Sequence, residues 1–312
     1  METKFIEGAL PAGYRCDFDS YLWNEPRNLT IQSLSGWYSF YALKSEKKAA
    51  RARVHFHVED GVAVSPYKNP FGSYEFSESL PPKELYDFIK WVEVQLANHG
   101  VKRIEIKSYP QIYNQYCSAM LSTFLVNLGY KINNAELSAC IEVNPNSLYQ
   151  VMSSWEKRKA GQIRKSNLRF SLIPVNKIKE VFDFISSCRE ERRQTLSMNY
   201  GQMKTVCDQF PEKFALFGMY ENNALAAASI SIYVNKHILY NFYSAHAKQY
   251  DALSPVVRLM EGIYEFCQSE KVNVIDLGTS ALQGRPNFSL LDFKLNLGAT
   301  PTQKFIFEKN LA

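Results

Sequence analysis

Two segments of this 312-residue chain share one six-residue pattern, and this repeat constrains the fold more than any other feature. They read Phe-Leu-Val-Asn-Leu-Gly at 124–129 and Phe-Lys-Leu-Asn-Leu-Gly at 293–298. Upstream of each segment, apolar residues recur at helical spacing, as Leu85, Ile89, Val92 and Leu96 in the first copy and as Val256, Met260, Ile263 and Cys267 in the second. Two copies are typical of two similar domains, not of a solenoid.

Each predicted helix leads into an apolar strand that carries one acid. The acid is Glu105 in the first copy and Asp276 in the second. Inside the matching segments, Leu125 of the first copy corresponds to Lys294 of the second. A lysine in place of an apolar residue indicates that the second copy has a use for a cation there.

Length and composition favour a two-domain globular protein. A chain of 312 residues suits two domains, which we predict at 1–145 and 146–312. The content of 46% hydrophobic and 21% charged residues is ordinary for a globular protein. The N-terminus carries acids, and no apolar run is long enough to span a bilayer, so we predict a cytoplasmic protein without a membrane span.

The cysteines and histidines do not predict a metal site. Six cysteines are scattered without a C-x-x-C pair, which indicates reduced core residues. His55 and His57 alternate on a predicted strand and share a face, but no third ligand is evident. We therefore predict no metal ion.

Positive charge concentrates at the start of the second half. The net charge is +5, and the basic residues there are Lys157, Arg158, Lys159, Arg164, Lys165, Arg169, Arg189, Arg192 and Arg193. The run fits a solvated helix face or a site for an anionic ligand. It lacks the motifs of DNA-binding domains, so we predict no DNA partner.

The order of elements predicts a mixed α/β (α+β) fold in each half. In the second half we predict a basic helix from about Ser147, a strand at 171–175 and a helix at 177–193. Strands follow at 214–220, 225–233 and 237–244. The next helix has Ser254 as its cap and Pro255 in its first turn.

This arrangement resembles the GNAT acyltransferase fold, and its doubling resembles the FemABX family of peptidoglycan aminoacyl transferases. The residues most similar to the family's motifs are Val274-Ile-Asp-Leu-Gly-Thr-Ser280 and Leu291-Asp-Phe-Lys-Leu-Asn-Leu-Gly298. Pro70-Phe-Gly72 stands where many members have Pro-Arg-Gly-Pro, without the arginine and the second proline. The resemblance implies two tandem GNAT-like domains, each a mixed central sheet flanked by helices.

The resemblance also implies an acyltransferase that moves an aminoacyl or acyl group to an amine. The acceptor would be a cell-wall precursor or another small molecule, bound in a cleft of the second domain and the domain interface. We predict three catalytic residues. Lys294 would meet a phosphate or the transition state, Tyr243 would protonate the leaving group, and Asp276 would take a proton or orient the amine.

Further contacts are predicted for both substrates. Predicted substrate-binding residues are Tyr67, Lys68, Phe71, Lys165, Tyr240, Phe242, Ser280 and Phe293. Lys248 and Ser254 are the obvious phosphate partners at the start of the second-half helix, because the glycines of a CoA pyrophosphate loop are absent from 244–254. We predict no tightly bound cofactor, and a donor that is aminoacyl-tRNA or acyl-CoA.

Three functions stay open at this point. They are a FemABX-like transferase, an acyl-CoA N-acyltransferase, and a binding protein that keeps the fold without catalysis. The partner would be an anionic small molecule, either nucleotide-linked or a thioester, with tRNA as another candidate. The sequence does not decide among them, and it leaves the oligomeric state open.

Overall fold

The computed structural model describes residues 3–164, 166–282 and 285–311, and the chain divides into two compact units. Unit 1 comprises Met1–Glu136 and Thr302–Ala312, and unit 2 comprises Leu137–Pro301. The final residues thus belong with unit 1. The predicted domains, 1–145 and 146–312, stay a prediction.

Unit 1 is a sheet with helices. The strands that lie wholly in its N-terminal segment are β1 (Lys4–Glu7), β2 (Arg15–Cys16), β3 (Trp37–Lys44), β4 (Ala49–Glu59), β5 (Val62–Ser65), β6 (Glu75–Phe76) and β7 (Arg103–Lys107). Its helices are α1 (Pro26–Gln32), α2 (Pro82–Asn98) and α3 (Gln115–Asn127). Strand β8 (Lys131–Glu142) begins in unit 1 and ends in unit 2.

Unit 2 has the same kinds of element. Its strands are β9 (Leu168–Ile173), β10 (Phe214–Glu221), β11 (Ala224–Asn235), β12 (Ile238–His246), β13 (Val274–Thr279), β14 (Ala281–Leu282) and β15 (Arg285–Pro286). Its helices are α4 (Leu148–Val151), α5 (Ser154–Ile163), α6 (Ile178–Glu190), α7 (Tyr200–Gln209), α8 (Pro255–Ser269) and α9 (Phe288–Asn296). The last strand, β16 (Thr300–Asn310), lies almost entirely in unit 1.

The two sheets are built to one plan. In unit 1 the order is β1-β3-β4-β5-β7-β16, where β5 and β7 run parallel and β16 closes the sheet antiparallel to β7. In unit 2 the order is β8-β13-β12-β11-β10-β9, where β12 and β13 run parallel and β8 lies antiparallel to β13. Helix α2 precedes β7, and α8 precedes β13, as the sequence repeat predicts.

The closing strands are exchanged between the units. The strand that follows α3 ends in unit 2, where Cys140 lies opposite Asp276. The strand that follows α9 returns to unit 1, where Ile306 lies opposite Lys107. Each sheet is therefore completed by the strand that follows the other copy's last helix.

The helix repeat identifies core residues in both units. Leu85, Ile89, Val92 and Leu96 of α2 are fully buried. In α8, Met260, Ile263 and Cys267 are buried, and Val257 is buried more completely than Val256. Each such side chain stabilises its unit by roughly 1.5–3 kcal/mol relative to exposure.

Local signals shift some predicted boundaries. The predicted strand at 171–175 runs instead over Leu168–Ile173, because Pro174 cannot donate to a neighbouring strand. The basic helix predicted from about Ser147 is two helices, α4 and α5. Ser153 caps the second by accepting a hydrogen bond from the Glu156 N–H (3.3 Å). Across the parts of the chain that the structure describes, no helix has the length and apolar character needed to cross a bilayer.

Candidate active site of unit 2

The two central parallel strands of unit 2 part from each other after the first three residues of β12. Their pairing runs from Ile238 opposite Val274 to Tyr240 opposite Asp276. Beyond that point β12 continues to His246 and β13 to Thr279. This parting leaves backbone groups of β12 without a β13 partner.

A β-bulge in β12 lies at the same point. Its partner strand β11 pairs Ser231 with Asn241 and Ile230 with Tyr243, so that Phe242 has no opposite residue. A bulge bends its strand and redirects the side chains beside it, and bulges are frequent next to active sites. The irregular part of the sheet therefore contains three predicted site residues, Tyr240, Phe242 and Tyr243.

Lys294 and Asp276 both bind the backbone at the end of β13. Lys294 is only 5% exposed, and its Nζ donates to the carbonyl oxygens of Gly278 (2.8 Å) and Thr279 (2.9 Å). The Asp276 carboxylate is 4% exposed and accepts the Gly278 N–H (2.6 Å). Both charged groups thus hold the backbone at the end of β13, where Gly278 has a positive φ of 74°.

Burial sets the electrostatics of this pair. It lowers the pKa of Lys294 to about 8, although the nearby Asp276 and Cys140 favour the charged form. Burial also raises the pKa of the Cys140 thiol, and the adjacent Asp276 carboxylate adds to that effect. Cys140, which the sequence did not single out, is brought to Asp276 by strand pairing and so carried no local signal.

Gly278 is predicted to tolerate no side chain. A Cβ there would lie 3.2 Å from the hydroxyl and ring of Tyr240, in a backbone conformation that favours glycine. We expect Gly278→Ala to lower the free energy of unfolding by about 1–3 kcal/mol. Urea denaturation of the parent and the variant measures this change in the free energy of unfolding. A Cβ added at Gly161 of α5 would meet no described atom within 4 Å, so Gly161→Ala is the control and should be neutral or stabilising. Equal effects of both changes would contradict the prediction.

Tyr243 is positioned by a loop that the sequence did not single out. Its hydroxyl accepts the Met198 N–H (3.0 Å) and shares a hydrogen bond with Ser197 Oγ (2.6 Å). Arg189 of α6 lies close enough to interact electrostatically with Tyr243 and donates to the Ser244 carbonyl (2.9 Å). Burial lowers the pKa of this arginine. A hydroxyl of β12 and a cation of α6 thus lie near each other at the end of β12.

Other predicted residues of unit 2 lie around this centre. Tyr240 and Phe242 contact each other with ring centroids 5.6 Å apart. Ser280, at the end of β13, is 3% exposed, and its hydroxyl is buried without a hydrogen-bond partner among the described residues. Phe293 packs partly buried against the core. Lys165 lies outside the described residues.

Lys248 and Ser254 precede α8. Lys248 is exposed, and Ser254 adopts a left-handed conformation with φ 50°. Ser254 stands at the cap position as predicted, but its side chain does not cap the helix and donates weakly to the Asp251 carbonyl (3.4 Å). Nearby, the Asp251 carboxylate bonds Arg192 (2.6 Å) and His246 (2.8 Å).

Three predicted contact residues belong to unit 1. Tyr67 stacks on His57 with centroids 3.8 Å apart, and Lys68 Nζ lies 4.5 Å from the Tyr67 ring centre. Phe71 is 2% exposed and packs against other rings of unit 1, including Tyr21 (5.5 Å). The roles assigned to all these residues from the sequence stay predictions.

The histidines and cysteines of the described residues form neither a metal site nor a disulfide. Within residues 3–164, 166–282 and 285–311, no three His, Cys, Asp or Glu side chains are grouped to hold a metal ion. His55 instead bonds Ser39 Oγ (2.8 Å), and burial lowers its pKa to about 3. All six cysteines are free thiols, and all of them except Cys16 are buried.

Comparison with known proteins gives a likeness of structure but not of sequence. No protein-family model and no curated protein sequence matches the chain. FemX is similar over 94% of this chain and 93% of its own, with a TM-score of 0.71 and 10% identity. The chain has the FemX fold. The predicted tandem GNAT-like architecture is therefore confirmed.

Two further structures share the fold. A conserved protein of unknown function from Bacteroides thetaiotaomicron VPI-5482 has a TM-score of 0.61 at 9% identity, covering 90% of this chain and 88% of that one. The C-terminal DUF2156 domain of a proposed lysylphosphatidylglycerol synthetase from Agrobacterium fabrum has a TM-score of 0.53 at 10% identity, covering 86% and 84%. At such identities the likeness establishes the fold.

Proposed function

We propose that unit 2 transfers an aminoacyl or acyl group to an amine acceptor. The observation that carries the proposal is the parting of β12 from β13 at Tyr240 and Asp276, together with the bulge at Phe242. The fold shared with FemX and with a domain of a proposed lysylphosphatidylglycerol synthetase supports it. Any contribution of a domain interface to the cleft stays a prediction.

The reaction requires three things of the protein. A neutral amine attacks the carbonyl carbon of an ester or thioester, a C–N bond forms, and the C–O or C–S bond breaks. The developing oxyanion needs N–H donors, which β12 supplies beyond Tyr240, where it has left β13. The leaving group takes a proton from a side chain of the protein, and the proton that the attacking amine loses returns to that side chain, which restores it.

Tyr243 is the proposed proton donor to the leaving group. Its hydroxyl is held by Ser197 and Met198, and the neighbouring Arg189 stabilises negative charge on the phenol oxygen during transfer. Lys294 and Asp276 are proposed as positioning residues. They hold Gly278 and Thr279, and through them the geometry of the open end of β13.

Aminoacyl-tRNA is the favoured donor. The start of α8 offers few free N–H groups to a pyrophosphate, because Pro255 has none, the Ser254 N–H donates to Tyr250 and Asp251, and the Val257 N–H donates to Ser254. On α5, by contrast, Trp155 is 55% exposed and Arg158 lies 4.1 Å from its ring centre. Exposed aromatic and cationic side chains together suit an RNA strand.

A ligand panel tests the donor. Thermal shifts are measured with CoA thioesters, uridine-diphosphate sugars and aminoacylated tRNA, each at two salt concentrations. We expect stabilisation by aminoacylated tRNA that weakens steeply with salt. Stabilisation by CoA esters alone would instead identify an acyl-CoA N-acyltransferase, and binding without turnover would identify a binding protein.

Tyr243→Phe tests the proton donor in any donor–acceptor pair that shows turnover. We expect kcat to fall by about 100-fold or more, because the leaving group then departs without a positioned proton. The loss should shrink with a donor whose leaving group is more acidic. Tyr233→Phe in β11 is the matched control, since that tyrosine interacts with Cys267 and Glu270 instead. Equal rates in both variants would remove Tyr243 from the mechanism.

A further inference from the structure

Unit 1 has a cavity of its own. It measures about 210 Å³ and lies between the segment after β7, helix α3 and strand β16. Its polar lining consists of Ser108, Gln111, Ser118, Ser122, Thr123 and Gln303. The rings of Tyr109 and Phe305 complete the walls together with two aliphatic side chains.

This cavity lies on the elements of unit 1 that correspond to those around Lys294 in unit 2, although Leu125, the counterpart of Lys294, does not itself line it. In unit 1 the Ser108 N–H donates to the Phe305 carbonyl (2.9 Å), and in unit 2 the Ser280 N–H donates to the Leu137 carbonyl (2.9 Å). Both bonds join the segment after a central parallel strand to the closing strand. Helix α3 occupies the place of α9, since both end in the repeated Asn-Leu-Gly.

The two counterparts differ in charge. Leu125, fully buried, stands where unit 2 has Lys294. None of the ten residues that line the unit 1 cavity carries a charge. A phosphate or a carboxylate would lose its hydration there without gaining a cation, so the cavity is unsuited to an anionic ligand.

The cavity also has hydrogen-bonding capacity to offer. Ser118 as a whole is 9% exposed, and its hydroxyl is buried beside the Tyr109 hydroxyl without a hydrogen bond of good geometry. Gln111 and Gln303 each bring a donor and an acceptor. Hydroxyl and amide groups beside aromatic rings match a ligand with several hydroxyls and a small apolar face.

We propose that unit 1 binds a neutral, hydroxyl-rich molecule of monosaccharide size in this cavity. The volume is below the roughly 300–1,000 Å³ of pockets for drug-sized ligands, which limits the ligand to about one sugar ring. The site is separate from the transfer centre proposed for unit 2. Binding should therefore survive Tyr243→Phe, which separates this proposal from the proposed function.

Saturation-transfer NMR with the full chain tests the proposal, with glucose and N-acetylglucosamine as neutral probes and glucose 6-phosphate and glucosamine as charged ones. We expect the neutral sugars to bind with a dissociation constant on the order of 1 mM and the charged ones at least tenfold more weakly. No signal from either neutral sugar, or preference for a charged one, would overturn it.

Two variants locate the binding. Ala119 is exposed on α3 and lines the cavity, so Ala119→Trp should cover it and weaken sugar binding at least tenfold. Val126→Trp, at a 50% exposed position of α3 that does not line the cavity, is the matched control and should bind as the parent does. If Ala119→Trp fails to fold, Ser122→Leu replaces it. Unchanged binding in the cavity variant would refute the site.

Discussion

Lys294→Met is expected to lower the free energy of unfolding by about 3–5 kcal/mol, because the carbonyls of Gly278 and Thr279 lose the amine that donates to them in either protonation state. The buried Asp276 carboxylate also loses the amine beside it. Urea denaturation followed by fluorescence measures the change. The exposed Lys179 of α6, paired with Asp183 at 2.6 Å, offers the control Lys179→Met, for which we expect less than about 1 kcal/mol.

A second substitution checks the cause. Asp276→Asn removes the charge that Lys294→Met strands, so the double variant should regain part of the loss, with a coupling of about 1–3 kcal/mol. Additive losses in the double variant would show that the two side chains act independently. In a transfer assay Lys294→Met should lower kcat as well as stability, because the substitution loosens the end of β13 at the point where β12 and β13 part.

The pH dependence of this effect has a definite sign. Burial holds the pKa of Lys294 at about 8 in the folded protein, below its ordinary value of 10.5. Below pH 8 both folded and unfolded chains are protonated there, and the penalty for burying the charge is fully present. Between the two values the unfolded chain binds more protons, so stability rises with pH. The parent should therefore gain about 3 kcal/mol relative to Lys294→Met across this interval.

Arg53→Met is expected to have an effect of similar size on unit 1. Arg53 and Glu75 are 4% and 3% exposed and form an ion pair at 2.5 Å, and Glu75 also accepts the Tyr21 N–H (2.6 Å). Without the guanidinium, the carboxylate is left buried and unpaired. We expect a loss of about 3–5 kcal/mol, measured by chemical denaturation.

A control variant and the pH dependence show whether the loss of stability comes from the unpaired Glu75 carboxylate or from a general disturbance of packing. Arg103, 43% exposed and 3.4 Å from Glu308, should tolerate Arg103→Met within about 1 kcal/mol. Burial raises the pKa of Glu75, and losing Arg53 raises it further. The folded variant then keeps the Glu75 proton to higher pH than the unfolded chain does, so the stability deficit of the variant should shrink as the pH falls. A deficit independent of pH would contradict the role of Glu75.

The predictable parts of the fold are those that depend on local periodicity. The apolar spacing in α2 and α8 is visible in sequence because each helix buries one face. Strand β12 was predicted at 237–244 and is found at Ile238–His246. Helix α7 was not predicted, since its apolar face is weak and its clearest signal is the capping box of Asn199 with Gln202.

The candidate site was predictable only in part. Lys294 was noticed because the corresponding residue in the first copy of the repeat is Leu125. That comparison needs only this one sequence. Its burial, its carbonyl partners and its depressed pKa depend on how α9 meets β13, which no local pattern encodes. Ser197 and Met198 come to Tyr243 from a loop that carried no signal, and Arg189 of α6 was visible only as one of many basic residues.

The sequence by itself determined that the chain contains one fold twice, because hydrophobic periodicity and the Asn-Leu-Gly ends are local consequences of packing and helix termination. Tertiary structure alone decided that β8 closes the sheet of unit 2 and β16 that of unit 1. Strand pairing is long-range: either closing strand has the residues to pair in either sheet, and the choice depends on contacts formed only in the folded chain. That choice sets Cys140 beside Asp276 and Phe305 beside Ser108, and so shapes both candidate sites.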